Sequence, residues 1–172
     1  PVFGYGFYLI NMAQTLFGMP ESVFARMTSF NCDGKPDYDI DDLETIILCF
    51  PGGRQFTIII NNTATAPLRH AYQFYGSKGR IYWPYCPPHF NRPIQLVTSK
   101  TGELELPESV SDAGASKLPN WHLPMINDFV KAVQTGTQPQ CTIESAVRTA
   151  VVTDAIVKSA GTGKLEPVTW ED

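Results

Sequence analysis

Two β-rich runs, Leu43 to Phe50 and Gln55 to Asn61, flank the turn Pro51-Gly52-Gly53-Arg54, and no other stretch of the chain constrains the fold as strongly. Branched and aromatic residues favour extended backbone, and adjacent glycines allow the positive φ angles that a tight reversal needs. The two runs are therefore expected to pair antiparallel as a hairpin. In the second run Phe56, Ile58 and Ile60 share one face by the two-residue repeat of a strand. The first run is apolar on both faces, with Ile46, Leu48 and Phe50 opposite Ile47 and Cys49, and such a strand needs cover on both sides.

Other elements follow from local patterns. Tyr8 to Phe17 places Leu9, Ile10, Met12, Ala13, Leu16 and Phe17 at helical spacing, with Gly18 as a cap and Pro20 as a stop. Ser22 to Phe30 alternates Val23, Ala25 and Met27 with Phe24, Arg26 and Thr28, a strand with one better-buried face. Leu68 to Tyr75 and Arg80 to Trp83 form a second hairpin about Gly76-Ser77-Lys78-Gly79, and Ile94 to Thr98 with Leu104 to Leu106 adds shorter strands. One broad sheet is expected from these runs.

Pro107 to Pro119 reads as a loop, after which two helices close the chain. Pro124 suits the first turn of a helix reaching about Gln134, lined on one side by Ile126, Phe129, Val130 and Val133. The last helix starts behind Thr142 as N-cap, has Glu144 near its positive end and stops before Gly161. Its expected apolar stripe is Val147, Ala150, Val151, Ala155 and Val157, and Leu165 to Trp170 returns as an edge strand. The order is α+β: a large, mostly antiparallel or mixed open sheet with helices on one face, forming a single domain over residues 1–172. Three helices cover only one side, so the other face is expected to meet a second copy in a homo-oligomer.

Composition narrows the function. The 172 residues are 43% hydrophobic and 17% charged with a net charge of -4, and basic residues such as Arg26, Arg54, Lys78 and Arg92 stand singly, which argues against a nucleic-acid partner. The apolar runs are strand-sized and far below the ~20 residues that cross a bilayer, so no membrane partner is expected. Cys32, Cys49, Cys86 and Cys141 are widely spaced, with neither a zinc pattern nor a disulfide framework, and fit a reducing cytoplasm. Cys86-Pro87-Pro88-His89 offers only two ligands, too few for a metal site. A start at Pro1 without Met or a signal-like segment reads as a cut within a longer protein. Gly4-x-Gly6 precedes a helix but follows no strand and lacks a third glycine, so these residues hold no dinucleotide-binding fingerprint.

The opening Gly4-Tyr5-Gly6-Phe7-Tyr8-Leu9-Ile10-Asn11, followed by Leu16-Phe17-Gly18-Met19-Pro20, resembles the start of the C-terminal domain in the Gfo/Idh/MocA oxidoreductase family. Further matches are Asp41-Asp42, Phe50-Pro51-Gly52-Gly53, Gly76-Ser77-Lys78-Gly79-Arg80-Ile81, Asn127-Asp128-Phe129, and Ser145-Ala146 through Asp154-Ala155-Ile156 to Ser159-Ala160-Gly161-Thr162-Gly163. The resemblance implies a C-terminal substrate and dimerisation domain, inactive alone. An N-terminal Rossmann domain outside this chain would bind NAD or NADP in the parent, and this part would bind no cofactor and no metal.

Members of the family usually carry a lysine in that other domain and an Asp, a His and a second Asp along the helix that opens this one. The matching positions here are Gly4, Tyr8 and Asn11. Gly6-x-Tyr8-x-x-Asn11 is similar to the branch containing glucose-fructose oxidoreductase and dimeric dihydrodiol dehydrogenase, where tyrosine commonly replaces the histidine. Hydride transfer to or from a carbinol carbon requires a proton to leave or join its oxygen. Tyr8 is the catalytic candidate for that proton; a phenol pKa of about 10 would need a nearby cation, and the family lysine is the natural one. Asn11, nearly one turn on, is the candidate to bind a substrate hydroxyl.

The substrate class implied is a sugar, polyol or cyclic diol. Gly4 in place of the acid keeps open a non-catalytic binding or dimerisation module, and an NAD-dependent glycosidase of the same fold is the third reading. His70, His89 and His122 read as structural, and Arg69 and Arg92 as solvated, while Tyr82, Trp83 and Tyr85 form an aromatic cluster that could stack a sugar ring.

Overall fold

A computed structural model describes residues 2–30, 34, 40–63, 71–83, 94–98, 100, 102–105 and 122–169. In chain order its elements are a π-helical segment Val2–Gly6, α1 (Phe7–Phe17), β1 (Ser22–Thr28), β2 (Leu43–Phe50), a 3-10 turn Pro51–Gly53, β3 (Arg54–Asn61), β4 (Tyr72–Gly76), β5 (Gly79–Trp83), β6 (Gln95–Thr98), β7 (Gly102–Glu105), α2 (Leu123–Thr135), α3 (Ile143–Thr162) and β8 (Glu166–Pro167). The expected loop 107–119 lies outside the described residues, as do Arg69, His70, Tyr85, Cys86, His89 and Arg92. The architecture is α+β with antiparallel open sheets. Instead of one broad sheet, the described strands form two of four strands each, within two compact units, Pro1–Ala64 with Gln138–Asp172, and Thr65–Thr137.

In the first unit the strand order is β3-β2-β1-β8. The hairpin forms as its sequence dictates: Phe50 pairs with Arg54, and Gly52 and Gly53 take φ of 77° and 78°, the left-handed region open to glycine. Ile46 sits opposite both Ala25 and Ile58. The core is the face made by Val23, Ala25, Ile46, Leu48, Phe50, Ile58 and Ile60, all buried together with Ile10 and Ala13 of α1 and Val152, Ala155 and Ile156 of α3. The opposite face carries Phe24 and Ile59, 37% and 68% exposed, and half-buried Ile47 and Cys49, so the double-sided apolar strand is covered completely on one side only.

The last helix corrects two expectations. It runs through Gly161 to Thr162, because Gly163 supplies the left-handed cap (φ 67°, ψ 20°) and donates its N–H to Ser159 O at 2.8 Å. Its buried face is Thr149, Val152, Thr153, Ala155, Ile156 and Ser159, whereas Val147 and Val157 are 43% and 42% exposed. Hydroxyl residues tolerate that burial because each finds an acceptor or donor. Thr153 Oγ1 donates to Thr149 O at 2.9 Å, and Ala25 N–H donates to Ser159 Oγ at 2.9 Å. The Ala25 amide needs that partner, since β8 pairs only with Ser22 and Val23 of β1. β8 is shorter than the expected Leu165 to Trp170 run, its contact with β1 ending on the Val168 N–H, which donates to Glu21 O at 3.0 Å.

The second unit holds the order β4-β5-β6-β7, all antiparallel. Gly79 is fixed as glycine, since a Cβ would lie 2.3 Å from Val97 O and φ is 157°. α2 has Pro124 in its first turn and ends at Gly136 in the left-handed conformation, as its sequence requires. Ile126, Phe129, Val130 and Val133 form its apolar stripe and are each 46% exposed or more, with Ala132 its one buried residue.

β8 is clasped to α3 by charge and hydroxyl. Lys158 Nζ lies 2.8 Å from Glu166 Oε2, and Thr162 Oγ1 donates to Glu166 Oε1 at 2.8 Å. Hydrogen bonding first from Lys158 and then from Thr162 holds the Glu166 carboxyl below the usual glutamate range. A depressed folded-state value contributes stability that is present above the unfolded value and is lost as pH falls through the folded one. Glu166→Gln is therefore expected to lower the urea midpoint at neutral pH, with the gap between parent and variant closing as pH falls below the usual glutamate range. A gap that does not narrow with acidification would contradict the clasp.

Candidate functional site

The rotation of α1 decides which of its residues can serve a ligand. Ile10 and Ala13 are fully buried, and Phe17 rests on Phe50 and Phe56 with ring centroids 5.3 and 6.4 Å away. At the other end Val2 N–H donates to Glu44 Oε1 at 2.8 Å, in a buried setting. Gly6 is buried too, and a Cβ there would meet Val2 Cγ2 at 3.0 Å and Ile60 Cδ1 at 3.6 Å, so a side chain would strain this close approach. Val2, Gly6, Ile10, Ala13 and Phe17 thus pin one side of the segment, which leaves Phe3, Gly4, Tyr5, Tyr8, Asn11 and Thr15 on the exposed side.

Tyr8 is 74% exposed, and its flanking aromatics Phe3 and Tyr5 are 67% and 69% exposed. With Gly4 and Phe7 they line a shallow, open cleft of about 490 Å³. Phe3 and Phe7 pack as a tilted pair across part of it, their centroids 6.2 Å apart and their planes inclined by 46°. Gly4 faces open space, with no atom within 4 Å of where a Cβ would lie, so its lack of a side chain is not forced by packing. Asn11 is exposed on the same flank as Tyr8, and its Nδ2 donates to Thr149 Oγ1 of α3 at 3.4 Å. Tyr8 and Asn11 therefore share a surface, which Gly4 opens rather than charges.

Other candidates separate. Tyr82 and Trp83 are neighbours in β5 and so project to opposite faces of the sheet: Tyr82 pairs with Gln73 and Gln95, whereas Trp83 pairs with Tyr72, its ring centroid 5.2 Å from that tyrosine's. They do not form a single stacking surface. His122 sits at the start of α2. Among the described residues no group of His, Cys, Asp or Glu could hold a metal ion, and no helix is long and apolar enough to cross a membrane.

Three residues at or beneath the site escaped the sequence reading: Phe3, Glu44 and Thr149. For Glu44 the signal was present, since strand alternation puts it on the face of Ile46, Leu48 and Phe50, where it is fully buried. Thr149 gave no such signal, because a threonine within an apolar helix does not declare which side it occupies.

Residues 1–82 match the model of the GFO/IDH/MocA C-terminal domain. The uncharacterized oxidoreductase ORF334 of Rhizobium meliloti is 29% identical over 167 residues, which is 95% of this chain and 47% of that protein. Among solved structures, an oxidoreductase from Agrobacterium radiobacter in complex with NAD+, L-tartaric acid and magnesium superposes with a TM-score of 0.76 at 15% identity, over 98% of this chain and 49% of its own. Levoglucosan dehydrogenase in complex with NADH and L-sorbose gives 0.77 at 19% identity, over 98% and 50%. Over residues 1–82 the chain is thus similar to the C-terminal domain of GFO/IDH/MocA oxidoreductases, and its fold is the one those solved structures share. It spans about half the length of the relatives it matches.

Proposed function

We propose that this chain is the substrate-side half of an NAD(P)-dependent oxidoreductase acting on a sugar, polyol or cyclic diol, with Tyr8 exchanging the proton of the substrate oxygen and Asn11 binding a neighbouring hydroxyl. The observation that carries the reading is the outward placement of Tyr8, beside Asn11, on a helix whose opposite side is locked into the core. A residue packed for stability alone would gain little from a phenol that is 74% exposed. The named ligands of similar proteins, NADH with L-sorbose or levoglucosan, support the substrate class.

The nicotinamide is assigned to polypeptide beyond these residues. Among those described, no strand leads through a glycine-rich turn into a helix start, and the π-helical Val2–Gly6 runs directly into α1, so that α1 offers no open N-terminus to a pyrophosphate. When bound, the cofactor supplies hydride exchange. The work of this chain is to seat the ring against Phe3, Tyr5 and Tyr8, to orient a hydroxyl at Asn11, and to hold a proton at Tyr8 Oη. Gly4, where the family usually has an acid, favours the second reading of a binding module without turnover.

Tyr8→Phe separates the two. In the full-length protein it should cut kcat on its polyol substrate by roughly 10²- to 10⁴-fold, as loss of a general acid–base group does, while the melting temperature stays within about 2 °C. Normal turnover in the variant removes the proton-transfer role, and a parent inert toward every sugar and polyol with NAD+ or NADP+ favours the module. A homodimer through the face bearing Phe24, Ile47 and Ile59 belongs to the same reading, because these apolar residues lie side by side on adjacent strands. Sedimentation of the full-length protein at micromolar concentration should give twice the mass of one chain; a monomer there opposes it.

A further inference from the structure

Thr149 is 2% exposed, yet its hydroxyl meets three groups: Gln14 Oε1 at 2.9 Å, Ser145 O at 3.0 Å and Asn11 Nδ2 at 3.4 Å. A threonine hydroxyl carries one hydrogen and two lone pairs. That hydrogen is spent on the two oxygens, both of them acceptors, so toward Asn11 the oxygen can only accept. The nitrogen end of the Asn11 carboxamide is therefore the end held against α3, and the Oδ1 end is left on the side turned from it. Gln14 is fixed in the same way, since its Nε2 donates to Met19 Sδ at 3.1 Å while its Oε1 receives the Thr149 hydrogen. A second hold acts on the backbone, where Thr15 Oγ1 donates to Asn11 O at 2.9 Å.

We propose that Thr149 is the positioning residue of the substrate surface, holding Asn11 by its nitrogen so that Oδ1 is presented as a hydrogen-bond acceptor. The consequence is a specificity rule that rests on the reading of Tyr8 and Asn11 as a substrate surface. The ligand group that Oδ1 takes is a donor, a free hydroxyl, while Thr149 uses one of the two Nδ2 hydrogens and so halves the capacity of Asn11 to serve an acceptor. Burial gives the arrangement its firmness, because without Asn11 and Gln14 the Thr149 hydroxyl would keep only the Ser145 carbonyl and its lone pairs would lose their donor. The Asn11 bond, at 3.4 Å, is the longest of the three.

The test uses the full-length, nitrogen-15-labelled protein with levoglucosan and NAD+ as probes. Thr149→Val keeps the shape but removes the hydroxyl, and Thr149→Ser keeps the hydroxyl. We expect the Asn11 side-chain amide signals to move in Thr149→Val and to return in Thr149→Ser. The KM for levoglucosan should rise about tenfold in the valine variant, the equivalent of one hydrogen bond, with kcat changed less than about threefold and the serine variant restored. Asn11 signals indifferent to both substitution and ligand, or equal falls in kcat and melting temperature without a KM change, overturn the assignment. A parent that turns over nothing, yet whose Asn11 signals shift with levoglucosan and do so less in Thr149→Val, sustains the positioning role while removing hydride transfer.

Discussion

The structure around the candidate site depends on the burial of Ile10 and Ala13 in the core that α1 shares with β1, β2 and β3. A helix has one rotation that buries a given pair of residues, and this one sends Tyr8, Asn11 and Thr15 outward as a consequence. At about 25 cal/mol per Å² of apolar surface, complete burial of an isoleucine stabilises by roughly 1.5–3 kcal/mol, more than the typical ~1 kcal/mol of a single hydrogen bond. Core burial therefore outweighs any preference of the polar flank, and Tyr8 and Asn11 take the direction that remains.

Polar atoms inside the same core are handled by pairing rather than avoidance. Thr149, Thr153 and Ser159 lie on the buried side of α3, where the two threonine hydroxyls donate to carbonyls four residues back and Ser159 accepts from a strand amide. Ser159 serves the Ala25 amide beyond the reach of the short β8, and Asp42, buried at the foot of β2, accepts the Phe30 N–H at 2.6 Å while its backbone joins Thr28 and Asn62. These pairings fix the ends of the three long strands, and the same device, at Thr149, joins α3 to the flank of α1 that carries Asn11.

Much of this was legible in the sequence. The hairpin about Gly52-Gly53 and the alternation of β1 could be read because strand periodicity and turn chemistry are local. The caps Gly18 and Thr142 could be read for the same reason, Thr142 Oγ1 accepting from the Ser145 N–H at 3.2 Å. The face of α3 could not, since Val147, Val151 and Val157 are as apolar as Val152 and Ile156, and the choice lies with hydroxyl partners on other elements. The division into two sheets was hidden likewise, because pairing between distant strands leaves no mark in either. Tyr8 and Asn11 were legible only through the motif around them; helical spacing puts them on one flank, but what lies behind that flank is tertiary.

A cleft of exposed aromatics beside an acceptor-presenting amide suits a ring with hydroxyls, whose C–H faces stack while its O–H groups seek acceptors. In the proposed function such a surface would bind and orient the ligand, with hydride exchange supplied by a nicotinamide held elsewhere. The most direct measurement is a crystal structure of the full-length protein with nicotinamide cofactor and a cyclic polyol bound. The account predicts Tyr8 Oη within about 3.2 Å of the substrate oxygen on the carbon nearest the nicotinamide ring. A substrate whose reacting oxygen is met by another residue, with the Tyr8 phenol turned away from it, would contradict the account.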